Sequence, residues 1–246
     1  MAANFYVAPE QLMKDRAEYA RKGIARGRAL VAVEFAHGVV FVGENPSASL
    51  HKTSEIYDNI GFAAVGRYNE FEALRVAGIR LADVKGYQYA REDVTAKPLA
   101  NAYSQALGAS FMGESKPFEV ELLIAQVDGR PPGPVDTGVG ASPDEPVSEG
   151  AGLELFHILY DGSIVAERSM VVIGGDTEPI RTQLEERVTT GMSRDAAVRA
   201  VVGALEAAAD RTLGAEVLEV SGLDARRARR RFFRLTEAEL AELLAS

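Results

Sequence analysis

The chain has 246 residues, 47% of them hydrophobic and 26% charged, with 10 Pro and 23 Gly, a composition that fits a folded globular protein and excludes collagen-like or wholly disordered chains. Against 27 Lys and Arg stand 36 Asp and Glu, a net charge of −9 that repels nucleic-acid phosphates and anionic lipid at long range. The lack of Cys excludes disulfides, thiolate zinc sites and Cys nucleophiles, and 3 scattered His leave little for a histidine metal site.

In chain order, Pro9-Glu10 opens a helix, because Pro is tolerated in the first turn and an early acid suits the positive helix end. Gly23 and Gly27 are read as closing it, giving a helix over residues 9–23 behind an apolar tip, residues 1–8. Ala29 to Phe35 and Val39 to Val42, separated by Ala36-His37-Gly38, predict a hairpin buried on both faces. Ser54 to Tyr57 and Ile60 to Val65, split by Asp58-Asn59, predict a second. From Tyr68 the period becomes helical, at Phe71, Leu74 and Leu81, and again at Leu99, Tyr103, Leu107 and Phe111, so two helices cover 68–113. Strands follow at 118–127, 153–159, 163–165 and 170–173, with a turn at Tyr160-Asp-Gly162. Two helices, 178–188 and 194–209, precede strands at 216–220 and 231–235, and Thr236-Glu-Ala-Glu239 is a capping box for a last helix. Grouped blocks of strands and helices, rather than strict alternation, predict an α+β four-layer αββα sandwich of antiparallel sheets between helix pairs.

Residues 129–152 hold half of the prolines and no aromatic side chain, too little apolar surface to offset ordering entropy. They read as a flexible acidic loop inside one domain spanning 1–246. The opening residues lack a basic leader ahead of an apolar core, and no later run approaches a membrane span. The expectation is a cytoplasmic protein with no membrane, nucleic-acid, metal or cofactor requirement.

The element order, together with Glu18-Tyr-Ala-Arg-Lys-Gly-Ile-Ala-Arg-Gly27, Glu44-Asn-Pro-Ser-Ala-Ser-Leu-His-Lys-Thr-Ser-Glu-Ile-Tyr-Asp58, Gly61-Phe-Ala-Ala-Val-Gly66 and Lys116-Pro-Phe-Glu-Val-Glu-Leu122, resembles the proteasome α-subunits of actinobacteria. The resemblance runs from about Pro9 to Leu244 and implies the sandwich of the N-terminal-nucleophile hydrolases. It also implies partners: further copies of the chain in a heptameric ring, catalytic β-subunits, a hexameric AAA ATPase activator, and tagged protein substrates in transit. Catalytic relatives place a Thr at the start of the first strand, with its own α-amine as base. Here the matching place is Gly27-Arg28-Ala29, without a hydroxyl nucleophile and with a helix attached in front, so no catalytic residues are expected.

By the same resemblance Lys52 pairs with the C-terminal carboxylate of an activator tail, beside Gly27 and Gly66, where a missing Cβ lets an incoming backbone approach. Phe5, Tyr6, Val7 and Ala8 would form a gate at the ring axis, with Pro9 and Tyr19 supporting its open arrangement, and the 9–23 helix would help build the ring. The basic run Arg226-Arg-Ala-Arg-Arg-Arg231 reads as a solvated turn and strand face rather than a nucleic-acid patch. Gly174-Gly175 reads as strand-to-helix turn chemistry. Two other readings stay open at this level: a self-processing hydrolase of the same fold, and a ring-forming scaffold without a β partner.

Overall fold

The structure is a computed structural model that describes residues 8–114, 116–127, 152–228 and 230–245. The first strands form as their apolar runs require: β1 Leu30–Phe35 and β2 Gly38–Glu44 make one hairpin, β3 Thr53–Tyr57 and β4 Ile60–Gly66 a second. Helices α2 Tyr68–Gln88 and α3 Ala96–Gly113 follow, then β5 Val120–Val127, β6 Leu153–Ile158, β7 Ile164–Glu167 and β8 Met170–Ile173. Helices α4 Thr177–Arg187 and α5 Arg194–Ala209 lead to β9 Leu218–Asp224, β10 Phe232–Arg234 and α6 Glu237–Ala245. Ahead of them all lies α1 Pro9–Ala25.

The two hairpins enter different sheets. One sheet runs β10-β9-β2-β1-β8 and the other β3-β4-β5-β6-β7, every pair antiparallel. Strand alternation then sorts side chains into three apolar layers. Val31, Val33 and Phe35 pack under Leu184, Val198 and Val201 of α4 and α5. Leu30, Ala32 and Phe41 meet Ala63, Val65 and Leu123 between the sheets. Ile60, Phe62 and Ile124 pack on Leu74, Leu99 and Leu107 of α2 and α3. The four-layer sandwich expected from the sequence is the fold observed.

Several boundaries differ from the sequence reading. Helix α1 passes through Gly23 to Ala25, and that glycine lies against the Glu119 carboxylate, where a Cβ would overlap it. The strand expected at 216–220 begins with a 3-10 turn, Ala215–Val217, and β9 then runs on to Asp224. Within it, Gly222 lets the Val39 carbonyl and the Phe233 ring come close. Strand β5 starts at Val120 rather than Phe118. The capping box is present, with Thr236 Oγ1 accepting from Glu239 N at 3.3 Å and Thr236 N donating to Glu239 Oε2 at 2.7 Å. The tip residues Phe5, Tyr6 and Val7, and positions 129–151 of the acidic loop, lie outside the described residues.

Candidate functional site

Antiparallel alternation decides which residues share an end of the sandwich. The starts of β1, β3, β5 and β9 fall together with the ends of β2, β4 and β8, and the C-terminal end of α1 feeds that same end through residues 26–29. Ala20 and Ile24 of α1 enter the apolar layer between the sheets there. Lys52, Gly27 and Gly66, far apart in sequence, all fall at this end.

Their contacts are direct. Lys52 Nζ donates to the Arg28 carbonyl at 2.9 Å, and the Lys52 carbonyl accepts from Ala64 N at 2.9 Å, which puts Lys52 two residues from Gly66 across the β3–β4 ladder. A Cβ on Gly27 would stand 3.7 Å from Gly66 N and 3.1 Å from the Ile24 carbonyl. Gly66 has φ +111, and a Cβ there would overlap the Glu119 carbonyl oxygen, so glycine is required twice over. Gly174 and Gly175, with φ +70 and +61, turn the chain from β8 into α4 against Val65 and Ala29. That accounts for the glycine pair without a phosphate ligand.

Two buried carboxylates frame this cluster, and neither was singled out from the sequence. Glu219 on β9 faces the gap between the sheets and reaches into the other one. Its Oε2 accepts from Asn45 Nδ2 at 2.6 Å and Lys52 N at 3.0 Å, and its Oε1 from Thr53 N at 3.1 Å, Thr53 Oγ1 at 2.5 Å and Arg234 Nη1 at 2.6 Å. Desolvation alone would raise its pKa, but donors from Thr53, Lys52, Asn45 and Arg234 hold it below the ordinary glutamate value. Glu119, just before β5, has Arg67 Nε at 2.9 Å and Lys116 Nζ at 3.2 Å from Oε1. Its pKa is also lowered: against desolvation, Lys116, Tyr19 and Arg67 favour the charged form. The one signal in the sequence was an acid at a strand position whose neighbours are apolar, Val220 beside Glu219 and Val120 beside Glu119.

Burial pushes the Lys52 ammonium down to about 8, opposed by the charge of Glu219 and reinforced by that of Arg28. Arg28 in turn pairs with Glu44, which also holds Arg211. A cation retained at such a desolvation cost is chemically suited to an anionic partner.

The other expected positions lie elsewhere. Ala8 and Pro9 sit exposed at the start of α1, about 25 Å along the 17-residue helix from Gly27. Tyr19 lies between, half exposed, on the side of α1 that meets Glu119. Pro9 and Tyr19, ten residues apart on one helix, are separated by about 15 Å and do not meet within one chain. Described arginines of the basic run pair internally: Arg226 on Asp224 at 2.7 Å, Arg230 on Glu55, and buried Arg231 on the Ala225 carbonyl at 2.7 Å. Among the described residues no cluster of three or more His, Asp or Glu could hold a metal, and no helix is long and apolar enough to cross a membrane.

Comparison with known proteins identifies the family. The family model described as "Proteasome subunit" matches residues 24–132 and 147–221. The protein named "Proteasome subunit alpha" from Kineococcus radiotolerans is 50% identical over 100% of this chain and 99% of its own length. That of Nocardioides sp. is 50% identical over 99% of the chain and 90% of its length, and that of Acidothermus cellulolyticus 49% over 99% and 98%. On a family match that covers most of the chain and on full-length likeness to α-subunits, the chain belongs to the proteasome subunit family, on its actinobacterial α-subunit branch.

Proposed function

We propose that this chain is a non-catalytic α-subunit of a bacterial proteasome core particle, working in the cytoplasm. Seven copies form each outer ring, stacked on β-subunits that carry out threonine-type peptide hydrolysis. The ring gates entry of tagged proteins and docks the C-terminal tails of a hexameric ATPase. The names of the relatives support the α-subunit assignment. The observation that carries the docking assignment is the meeting of Lys52, Gly27 and Gly66 at one end of the sandwich, with an ammonium at the rim and no Cβ on two neighbouring backbone segments.

Residues 26–29 run unbroken from α1 into β1 and contain no Ser or Thr, so that strand start offers neither a hydroxyl nucleophile nor a free amine. Helix α1 joins the docking cluster at one end to Pro9, the base of the tip, at the other. A tail bound beside Gly27 therefore pushes on a rigid rod whose far end carries the gate. Glu119 links that rod to the Gly66 turn, through Gly23 and Tyr19 on one side and its own carbonyl on the other.

Particles assembled with β-subunits test this reading. Deleting residues 2–8 is expected to raise hydrolysis of small peptides without activator, and Lys52→Ala to abolish stimulation by the ATPase while leaving that basal rate unchanged. Unaltered stimulation in Lys52→Ala would remove the docking role; unaltered basal hydrolysis after the deletion would remove the gate. Intact mass separates the self-processing alternative, which sheds a leading segment, and co-purification with a β-subunit separates the scaffold alternative.

A further inference from the structure

Strand β9 sends Val220 into the layer under α4 and α5, and Glu219 and Ser221 into the gap between the sheets. A position there, 7% exposed, would ordinarily hold an apolar side chain. Glu219 instead collects five donors, enough to engage every lone-pair site of a carboxylate. Four of them come from residues 45–53, the segment that carries Lys52. The same segment is closed on itself: Asn45 Nδ2 also donates to the Leu50 carbonyl at 2.8 Å, and Asn45 Oδ1 accepts from Ser47 N at 3.1 Å. Ser221 adds a bond across the gap, its Oγ to Thr53 Oγ1 at 2.8 Å.

We propose that Glu219 is the positioning residue of the tail-docking site: it fixes the backbone at Lys52 and Thr53 so that the Lys52 ammonium stands at the Arg28 carbonyl. Its charge also favours the ammonium form there. The proposal rests on the reading of Lys52 as the docking cation.

The charged and titratable groups around Lys52 come from four directions. They are Arg28 ahead of β1 and paired with Glu44 of β2, Glu219 from β9, Arg234 from β10, and His51 next in the chain, whose Nδ1 is 2.9 Å from Arg234 Nη1 and 3.7 Å from Glu219. Only Glu219 both touches the Lys52 backbone and opposes the desolvation of its side chain. Docking needs the ammonium, so it is full below the Lys52 pKa and is lost as pH rises through about 8. Without the Glu219 charge the same loss comes at lower pH.

The test uses assembled αβ particles and a short fluorescent peptide with the sequence of the ATPase tail, with a free carboxylate or, as control, a C-terminal amide. Affinity is followed from about pH 7 to 10, above the titration of an ordinary His. The wild-type particle is expected to lose the carboxylate peptide with a midpoint near 8 and to bind the amide poorly throughout. Glu219→Gln keeps the side-chain shape; it is expected to bind several-fold more weakly at pH 7 and to move the midpoint to lower pH. Weaker binding with an unmoved midpoint overturns the proposal, since loosening alone does not change the proton affinity of Lys52. Lys52→Ala that binds the peptide as the wild type does sinks the docking reading itself, a distinct result. If Glu219→Gln fails to assemble, Asn45→Ala carries the test: a few-fold loss of affinity with the midpoint kept supports positioning, and unchanged affinity overturns it.

Discussion

Glu219 and Glu119 occupy the same end of the sandwich, are almost equally buried, and both keep their charge, yet they are held by different forces. Glu219 is satisfied mainly by neutral donors that cannot move, the backbone amides of Lys52 and Thr53 among them, with one guanidinium added. Glu119 is held by charges on long side chains, Arg67 and Lys116, which are 49% and 40% exposed, and Lys116 is shared with Glu70 at 2.6 Å. Fixed donors make a rigid site; screened, flexible charges make one that can loosen. The rigid carboxylate lies under Lys52, and the looser one lies against α1.

The sharpest way to break this contrast is Glu219→Ala. It leaves Lys52 N and Thr53 N without their acceptor, takes one acceptor from Arg234, and is expected to cost about 3–5 kcal/mol in chemical denaturation. A loss under about 1 kcal/mol would mean that the bonds around Glu219 are dispensable. Next comes Gly66→Ala, in which a Cβ at φ +111 meets the Glu119 carbonyl; about 2–4 kcal/mol is expected, together with weakened contact between α1 and the sheets. The smallest effect belongs to Glu119→Gln, about 1 kcal/mol, with faster hydrogen exchange of α1 amides. Molar salt should shrink that last difference and leave the Glu219 effect largely intact.

Acid adds a second axis. Both carboxyls are held below the ordinary value of 4.5, so each contributes stability that is full above that value and is lost as pH falls through the lowered folded value. The Gln variant at either site should therefore flatten the acid limb of a stability–pH profile.

How much of this was legible beforehand follows the range of the interactions. The hairpin at Ala36-His37-Gly38, the two helices over 68–113 and the cap at Thr236 are set by neighbours in sequence, so pattern and turn chemistry sufficed. The end of α1 was misread because Gly23 looks like a stop when only local propensity is weighed. The glycine there serves packing instead: the distant Glu119 needs the room it leaves. Residues 221–224 were missed as strand for a similar reason: Ser221 and Gly222 have weak strand character alone, but β2 and β10 flank them on both sides. The arginine run carried too little information to show its partners, which are Asp224 nearby and Glu55 on the other sheet.

The sequence by itself determined the layered architecture, through the periods of its apolar residues, and the family, through several collinear motifs. It also pointed to Lys52, Gly27 and Gly66 as residues to watch. Only the tertiary structure decided that these three meet, that two glutamates support them, and that Pro9 stands a full helix length away. Such placements depend on which strand ends fall together and on charges brought close from more than a hundred residues apart, and neither leaves a local mark on the chain.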